Sequence, residues 1–308
     1  MLTQQTIAKL KALRLTGMAK GFEDQLVSAA AMSLGFEERF GLLVDREITF
    51  RENQRLVRLL KGAKLRSNVC LEDIDYRQNR GLDKGQMASL ASCQWIASGL
   101  NLILTGPTGS GKTWIACAFG NQACRHGRTV LFQRLPLLLD DLQVSHGDGS
   151  FRKRLSQLAK LDLLILDDFG MAALTVQGRT DLLEVIDARV EGRSTIVTSQ
   201  IPVEHWHDYL GIDNPTVADA ILDRVVSGAL RIPLSGESMR KLRSGTQAYH
   251  PSGSVCPGGG SQHLGWWYLS ILGGGIRAFW VAEIAQRTQW DGGKPLTVSV
   301  KLATPCWP

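Results

Sequence analysis

"LILTGPTGSGKTWIACAFG", residues 102–120, joins an apolar run to a glycine-rich turn and then to a helical pattern. Gly106, Pro107, Thr108, Gly109, Ser110, Gly111, Lys112 and Thr113 fit the spacing G-x-x-x-x-G-K-[ST]. Glycines at these places let backbone N–H groups turn inward around phosphate oxygens. The helix that follows offers its positive N-terminal end to the same anion. Lys112 is expected to reach the β- and γ-phosphates, and the Thr113 hydroxyl to ligate Mg²⁺. Trp114, next in line, is grouped with the residues that contact nucleotide. The bland alternative is a glycine-rich connection, and the placement between a strand and a helix is what separates the two.

A phosphate loop needs a carboxylate on its metal side, and "LDLLILDDFG" supplies two. Four apolar residues, Leu163 to Leu166, end in Asp167 and Asp168, 55 positions after Lys112. A buried strand delivers such carboxylates to the sheet edge where ligands bind. Asp167 is expected to hold Mg²⁺ through water, and Asp168 to orient and deprotonate an attacking water. Without the loop upstream, paired aspartates after a strand would read as a turn or helix cap.

Outward from these motifs, residues 67–244 alternate short apolar runs with helical patterns, which predicts a parallel sheet with crossover helices. Strands are expected at Asn101–Leu104, Thr129–Gln133, Leu163–Leu166 and Ser194–Thr198, each nearly continuous in apolar residues as in a sheet covered on both faces. Residues 1–66 read as a small all-helical domain. Phe36, Phe40 and Leu43 fall at helical spacing, with Ser33 as a cap. In "RENQRLVRLLKGAKLR" one stripe carries Leu56, Leu60 and Ala63. A neighbouring stripe carries Arg51, Arg55 and Arg58, followed by Lys61, Lys64 and Arg66. Such a cationic run is either a solvated helix face or a surface that displaces counterions from a nucleic-acid backbone.

Residues 245–308 change in character: this stretch of 64 residues holds 11 of the 32 glycines and 5 of the 8 tryptophans. It has little helical or alternating period and is expected to be irregular, an aberrant end to the chain or a small appended module. Its apolar part is broken by Gly273–Gly275 and Arg277, which makes a poor membrane span. Lys and Arg exceed Asp and Glu by 35 to 29, a mild bias towards polyanionic partners. The N-terminus "MLTQQTIAKLKALRL" has no apolar run, so neither a secretion signal nor an anchor is expected there. Six scattered cysteines without a C-x-x-C pair fit reduced thiols in a cytoplasm better than zinc or disulfides.

Five segments in order, "LEDIDY", "LTGPTGSGKT", "LLILDDFG", "TIVTSQIPVEHWHDYLG" and "ADAILDRVVSGALRIPLSGESMRK", resemble the IstB group of AAA+ ATPases. These are transposition helper proteins of bacterial insertion sequences and relatives of the DnaC replicative helicase loader. The resemblance spans roughly residues 1–244 and leaves out the tail. It implies an α/β fold, a P-loop NTPase AAA+ core with a parallel central sheet, preceded by the helical domain. It also implies an ATPase that uses ATP and Mg²⁺.

The resemblance further assigns roles to matching positions. Gln200 stands where the family carries a polar sensor that positions the lytic water, with Thr198 as the fallback. Arg224, in "ILDRVV", matches an arginine finger that reaches into a neighbouring subunit's nucleotide. Arg240, in "GESMRK", matches a second sensor on the γ-phosphate. Ile74 and Tyr76 are walls of the adenine pocket or, equally, core residues. His205 and His207 lack a third ligand nearby and read as surface rather than as a metal site. The implied function is an ATP-dependent regulator that forms a homo-oligomer with ATP on double-stranded DNA and recruits or stimulates the transposase of the same element. The alternatives are a helicase loader and, from another class, a small-molecule kinase.

Overall fold

The structure, a computed structural model, describes residues 2–77, 80–190, 192–211, 214–236 and 238–239, with short strand segments beyond. It divides into two compact units, residues 1–248 and 249–308.

In the first unit the N-terminal segment forms α1 (Leu2–Ala12), α2 (Thr16–Val27), α3 (Ala29–Met32) and the long α4 (Phe36–Ala63). α2 lies against α4 through Gly17 and Gly21, where an added Cβ would meet Glu47 and Leu43 respectively. The buried Glu47 carboxylate accepts the Met18 N–H at 3.0 Å and pairs with Arg51 at 2.7 Å. Ser33 does not cap α4: it ends α3, and Gly35 is the N-cap, its N–H received by Glu38 Oε2 at 3.0 Å. Leu43 packs on α2, whereas Phe36 and Phe40 stack on each other in solvent, with ring centroids 6.1 Å apart. Further along α4, Leu56, Leu60 and Ala63 pack onto the core, which fixes the helix to the sheet domain.

After a 3₁₀ turn (Leu71–Asp73) come α5 (Lys84–Ala91), α6 (Gln94–Ala97), β1 (Leu102–Thr105), α7 (Lys112–Arg125), β2 (Val130–Arg134), α8 (Leu135–Gly147) and α9 (Phe151–Ala159). They are followed by β3 (Leu163–Phe169), α10 (Val176–Asp187), β4 (Ser194–Ser199), α11 (Trp206–Leu210), α12 (Pro215–Val226) and β5 (Leu230–Pro233). All five strands run parallel in the order β2-β3-β4-β1-β5. The period-2 alternation of side chains splits the core into two layers. Leu102, Leu104, Leu163, Ile165 and Ile196 face Ile115, Phe119 and Ala123 of α7. Ile103, Leu164, Leu166 and Val197 face Leu138, Leu142, Leu182, Val185, Trp206 and Ile221. Both faces are therefore covered, and the middles of β1, β3 and β4 carry apolar residues on both sides. The four strands read from sequence are present. β5 is an addition, because "LRIP" is short and carries an arginine and a proline at the sheet's edge.

In the second unit the structure describes two antiparallel pairs, β6 (Trp267–Ile271) with β7 (Ile276–Trp280) and β8 (Trp290–Asp291) with β9 (Lys294–Pro295). The irregular chain expected there thus contains at least these paired segments. Among the described residues no helix is long and apolar enough to cross a membrane.

Candidate nucleotide site

The glycine loop runs from the C-terminal end of β1 to the first turn of α7, as the spacing of its glycines predicts. Gly106, Gly109 and Gly111 have φ of +145°, +84° and +99°, a region that L side chains rarely adopt. At Gly106 the backbone also lies so close to the Leu234 carbonyl that a Cβ would collide with it. Gly106→Ala therefore combines strain with a backbone clash, about 1–3 kcal/mol. A fall of several degrees in Tm together with weakened nucleotide binding is expected, read by thermal melts with and without ligand.

Lys112 opens α7 and folds back over the loop, donating to the carbonyls of Gly106 at 2.6 Å and Pro107 at 2.8 Å. Burial lowers its pKa, and the carboxylates of Asp167 and Asp168 oppose that shift. The ammonium is thus held at the mouth of the loop by carbonyls that a phosphate can replace. Ser110 Oγ is buried without a hydrogen-bond partner.

Asp167 ends the buried part of β3. Its Oδ1 accepts hydroxyls from Thr113 at 2.8 Å and Thr198 at 2.5 Å. Its Oδ2 is buried and has no hydrogen-bond partner. Burial pushes its pKa up, against the two threonine hydroxyls. An orphaned carboxylate oxygen beside the Thr113 hydroxyl is a hard, all-oxygen donor set. It fits Mg²⁺, and a cation there offsets the cost of burying the charge. Asp168 follows in the left-handed region, φ +63°, where the β3–β4 register breaks between Leu166 and Phe169. This turns its side chain into the cleft, where Oδ2 receives the Arg134 Nε–H at 2.7 Å. Its own N–H donates to Thr198 Oγ1 at 3.2 Å, so Thr198 braces both aspartates.

Lys112, Thr113, Asp168 and Arg134 line a cleft of about 430 Å³ at the C-terminal ends of the strands, with Asp167 buried behind them. Thr108, Gly109, Gly111, Lys112, Thr113, Trp114, Asp168 and Gln200 lie on its wall. Gln200 Oε1 accepts the Thr108 hydroxyl at 2.5 Å, which sets a side-chain amide across the loop.

Other residues lie elsewhere. Ile74 and Tyr76 do not wall the cleft: Ile74 is buried in the core, Tyr76 packs against it, and Asp73 and Asp75 face the cleft instead. Asp73 closes the 3₁₀ turn and Ile74 leaves it in an extended conformation, so the two side chains point different ways. Arg66 leaves the cationic stripe and lies on the cleft wall. Arg51 is paired with Glu47, Arg55 donates to the Gly127 carbonyl at 3.1 Å, and Arg58 donates to the Gln54 carbonyl. Lys61 and Lys64 are exposed.

Arg224 lies on α12, paired with Asp187 of α10 at 2.7 Å. Its carbonyl accepts from Asn101, just before β1, which puts it at the opposite end of β1 from the glycine loop. Arg240 lies outside the described residues. His205 and His207 sit near Asp208 and Asp219, and no cluster of metal ligands occurs among the described residues. Sequence reasoning missed Arg134, because a cation closing a strand carries no local signature, and Arg80, which is buried under the loop with Nη1 3.5 Å from the Ser110 carbonyl.

A parallel five-stranded sheet, a phosphate loop into α7 and an acidic β3 end across the loop define a P-loop nucleotide-binding protein. The family described as IstB-like ATP binding protein matches residues 8–248, and the chain belongs to it. It is 56% identical over 203 residues to the ATP-binding protein of insertion sequence IS1162 from Pseudomonas fluorescens, covering 66% of this chain and 88% of that protein. Over 241 residues it is 46% identical to an insertion sequence ATP-binding protein of Sinorhizobium fredii, 78% of this chain and 98% of that one. Among solved structures, DnaI is similar at 22% identity and a TM-score of 0.46, over 59% of this chain and 92% of its own. The DnaC helicase loader is similar at 21% identity and a TM-score of 0.45, over 56% and 99%.

Proposed function

We propose that the protein is an ATP-hydrolysing regulator of transposition, which assembles on double-stranded DNA and recruits or stimulates the transposase of its insertion sequence. The observation that carries the reading is the separation of two cationic groups. Lys112 sits over the glycine loop at one end of β1, while Arg224 is presented at the other. A triphosphate held by one protomer is then completed by the arginine of the next, so nucleotide state governs assembly.

Within a protomer, the loop's N–H groups and Lys112 bind the phosphates, and Thr113 with Asp167 holds Mg²⁺. When bound, Mg²⁺ neutralises charge on the β- and γ-phosphates. Asp168, aimed into the cleft, accepts the proton of the attacking water, and Gln200 helps to orient that water. Arg224 from the neighbour neutralises charge as the terminal phosphoryl group departs. On the outside, Arg55, Arg58, Lys61 and Lys64 of α4 offer exposed cations to the DNA backbone. Such contacts are salt-sensitive and largely indifferent to sequence.

The test is the mass of the full chain with a non-hydrolysable ATP analogue, with duplex DNA, with both and with neither, beside ATP turnover. Large assemblies only with both ligands, and turnover stimulated by DNA without any small acceptor, are the expected results. A nucleotide bound by a particle whose mass never changes, or turnover that requires a hydroxylated metabolite, would overturn the proposal.

A further inference from the structure

Arg66 follows the long N-terminal helix by three residues. α4 ends at Ala63 because Lys64 takes a left-handed conformation, φ +50°. Leu65 then packs onto the core beside Gly120 of α7. The chain is thus anchored on the helix that begins with Lys112 and Thr113. From this anchor Arg66 lines the cleft, with 52% of its side chain exposed and Nη1 3.9 Å from Asp167 Oδ2. That is an ion pair but too long for a hydrogen bond. The carboxylate oxygen it faces is the one with no hydrogen-bond partner.

A guanidinium is a planar fork suited to paired phosphate oxygens. With a cation bound at Asp167, the attraction that draws Arg66 towards that carboxylate would weaken. Of the other carboxylates on the cleft wall, Asp168 is paired with Arg134, Asp73 accepts the Cys70 N–H and Asp75 accepts the Arg77 N–H, which leaves phosphate oxygens in the cleft as open acceptors for the guanidinium.

We propose that Arg66 is a ligand of the terminal phosphate from within the same chain, and that through it the nucleotide state is transmitted to α4. This rests on the nucleotide reading of the cleft. It takes Arg66 out of the DNA-facing group and makes it the joint between the two functions.

The experiment uses the full chain, with Arg66→Ala and Arg66→Lys. It measures equilibrium affinity for a non-hydrolysable Mg·ATP analogue and for Mg·ADP, with amide exchange across residues 56–66 as a second readout. Arg66→Ala is expected to weaken the ATP analogue ~10–100-fold, as for a lost hydrogen bond to a charged group. ADP affinity stays close to parental, which also reports an intact fold. Arg66→Lys falls between, and the analogue's extra protection of residues 56–66 disappears in the alanine variant. Equal losses for both nucleotides, no loss for either, or a loss confined to DNA affinity would each overturn the inference. A parent chain that binds neither nucleotide would overturn the underlying reading as well.

Discussion

Asp168→Asn is expected to stop ATP hydrolysis while leaving nucleotide binding and DNA-dependent assembly intact. The substitution is close to isosteric and suits the backbone, because asparagine tolerates the left-handed conformation that Asp168 adopts at φ +63°. The amide oxygen can still accept from Arg134 Nε, so the 2.7 Å contact that anchors the side chain survives. What is lost is the proton acceptor. General-base catalysis contributes ~10²–10⁴-fold, and turnover should fall by that amount. In the proposed mechanism phosphate binding rests on Lys112 and the loop, and the cation site on Thr113 and Asp167, none of which is altered. Turnover, nucleotide affinity and mass with duplex DNA, measured on one preparation, check all three parts. Hydrolysis at the parental rate would remove Asp168 as the base. Loss of nucleotide binding would mean that its pairing with Arg134 shapes the cleft instead. Asp168→Ala is a poorer probe, since alanine at that φ adds strain to the missing carboxylate.

The parts of this site that could be read from sequence are those where a local conformation demands a particular residue. Three glycines at positive φ and a Lys-Thr pair at a helix start are legible because no other residues serve there. The placement of Asp167 and Asp168 is legible because an apolar run in a chain that alternates such runs with helical patterns reads as a buried strand, and both lie towards its C-terminal end. Arg66 was misread for a physical reason. The helical period that links Arg51, Arg55 and Arg58 continues in the sequence past Ala63, but the helix does not: Lys64 turns the chain, and the next cation points elsewhere. For Ile74 and Tyr76, which the sequence left open between pocket wall and core, tertiary packing decides for the core, while Asp73 and Asp75 reach the cleft. Arg134 and Arg80 reach the cleft through tertiary packing, from the end of an edge strand and from a loop, and neither leaves a trace in local spacing. β5 escaped because half-exposed edge strands need little hydrophobicity.

The second large effect concerns Arg224. On its own, Arg224→Ala is expected to lower turnover by ~10³–10⁵, the range for arginines that neutralise a departing phosphoryl group in trans. Mixed with Lys112→Ala protomers, it should recover. Lys112 and Arg224 lie towards opposite ends of β1, whose four residues at ~3.3 Å each span about 13 Å, so neither serves the other's site within one chain. In a head-to-tail assembly, a Lys112→Ala protomer still offers its arginine to the intact loop of an Arg224→Ala neighbour. An equal mixture makes such whole sites at roughly a quarter of its interfaces.

The ion pair with Asp187 supplies the control that separates this role from a structural one. If Arg224 merely clamps α12 to α10, Asp187→Ala breaks the same clamp and should cost as much turnover as Arg224→Ala. If Arg224 works on a neighbour's nucleotide, Asp187→Ala frees the guanidinium and leaves turnover near parental or above it. Recovery in the mixture together with an active Asp187→Ala variant establishes a shared site. A dead mixture with an equally dead Asp187→Ala variant reduces Arg224 to a helix clamp. Assembly would then require some other group to sense the triphosphate across the interface.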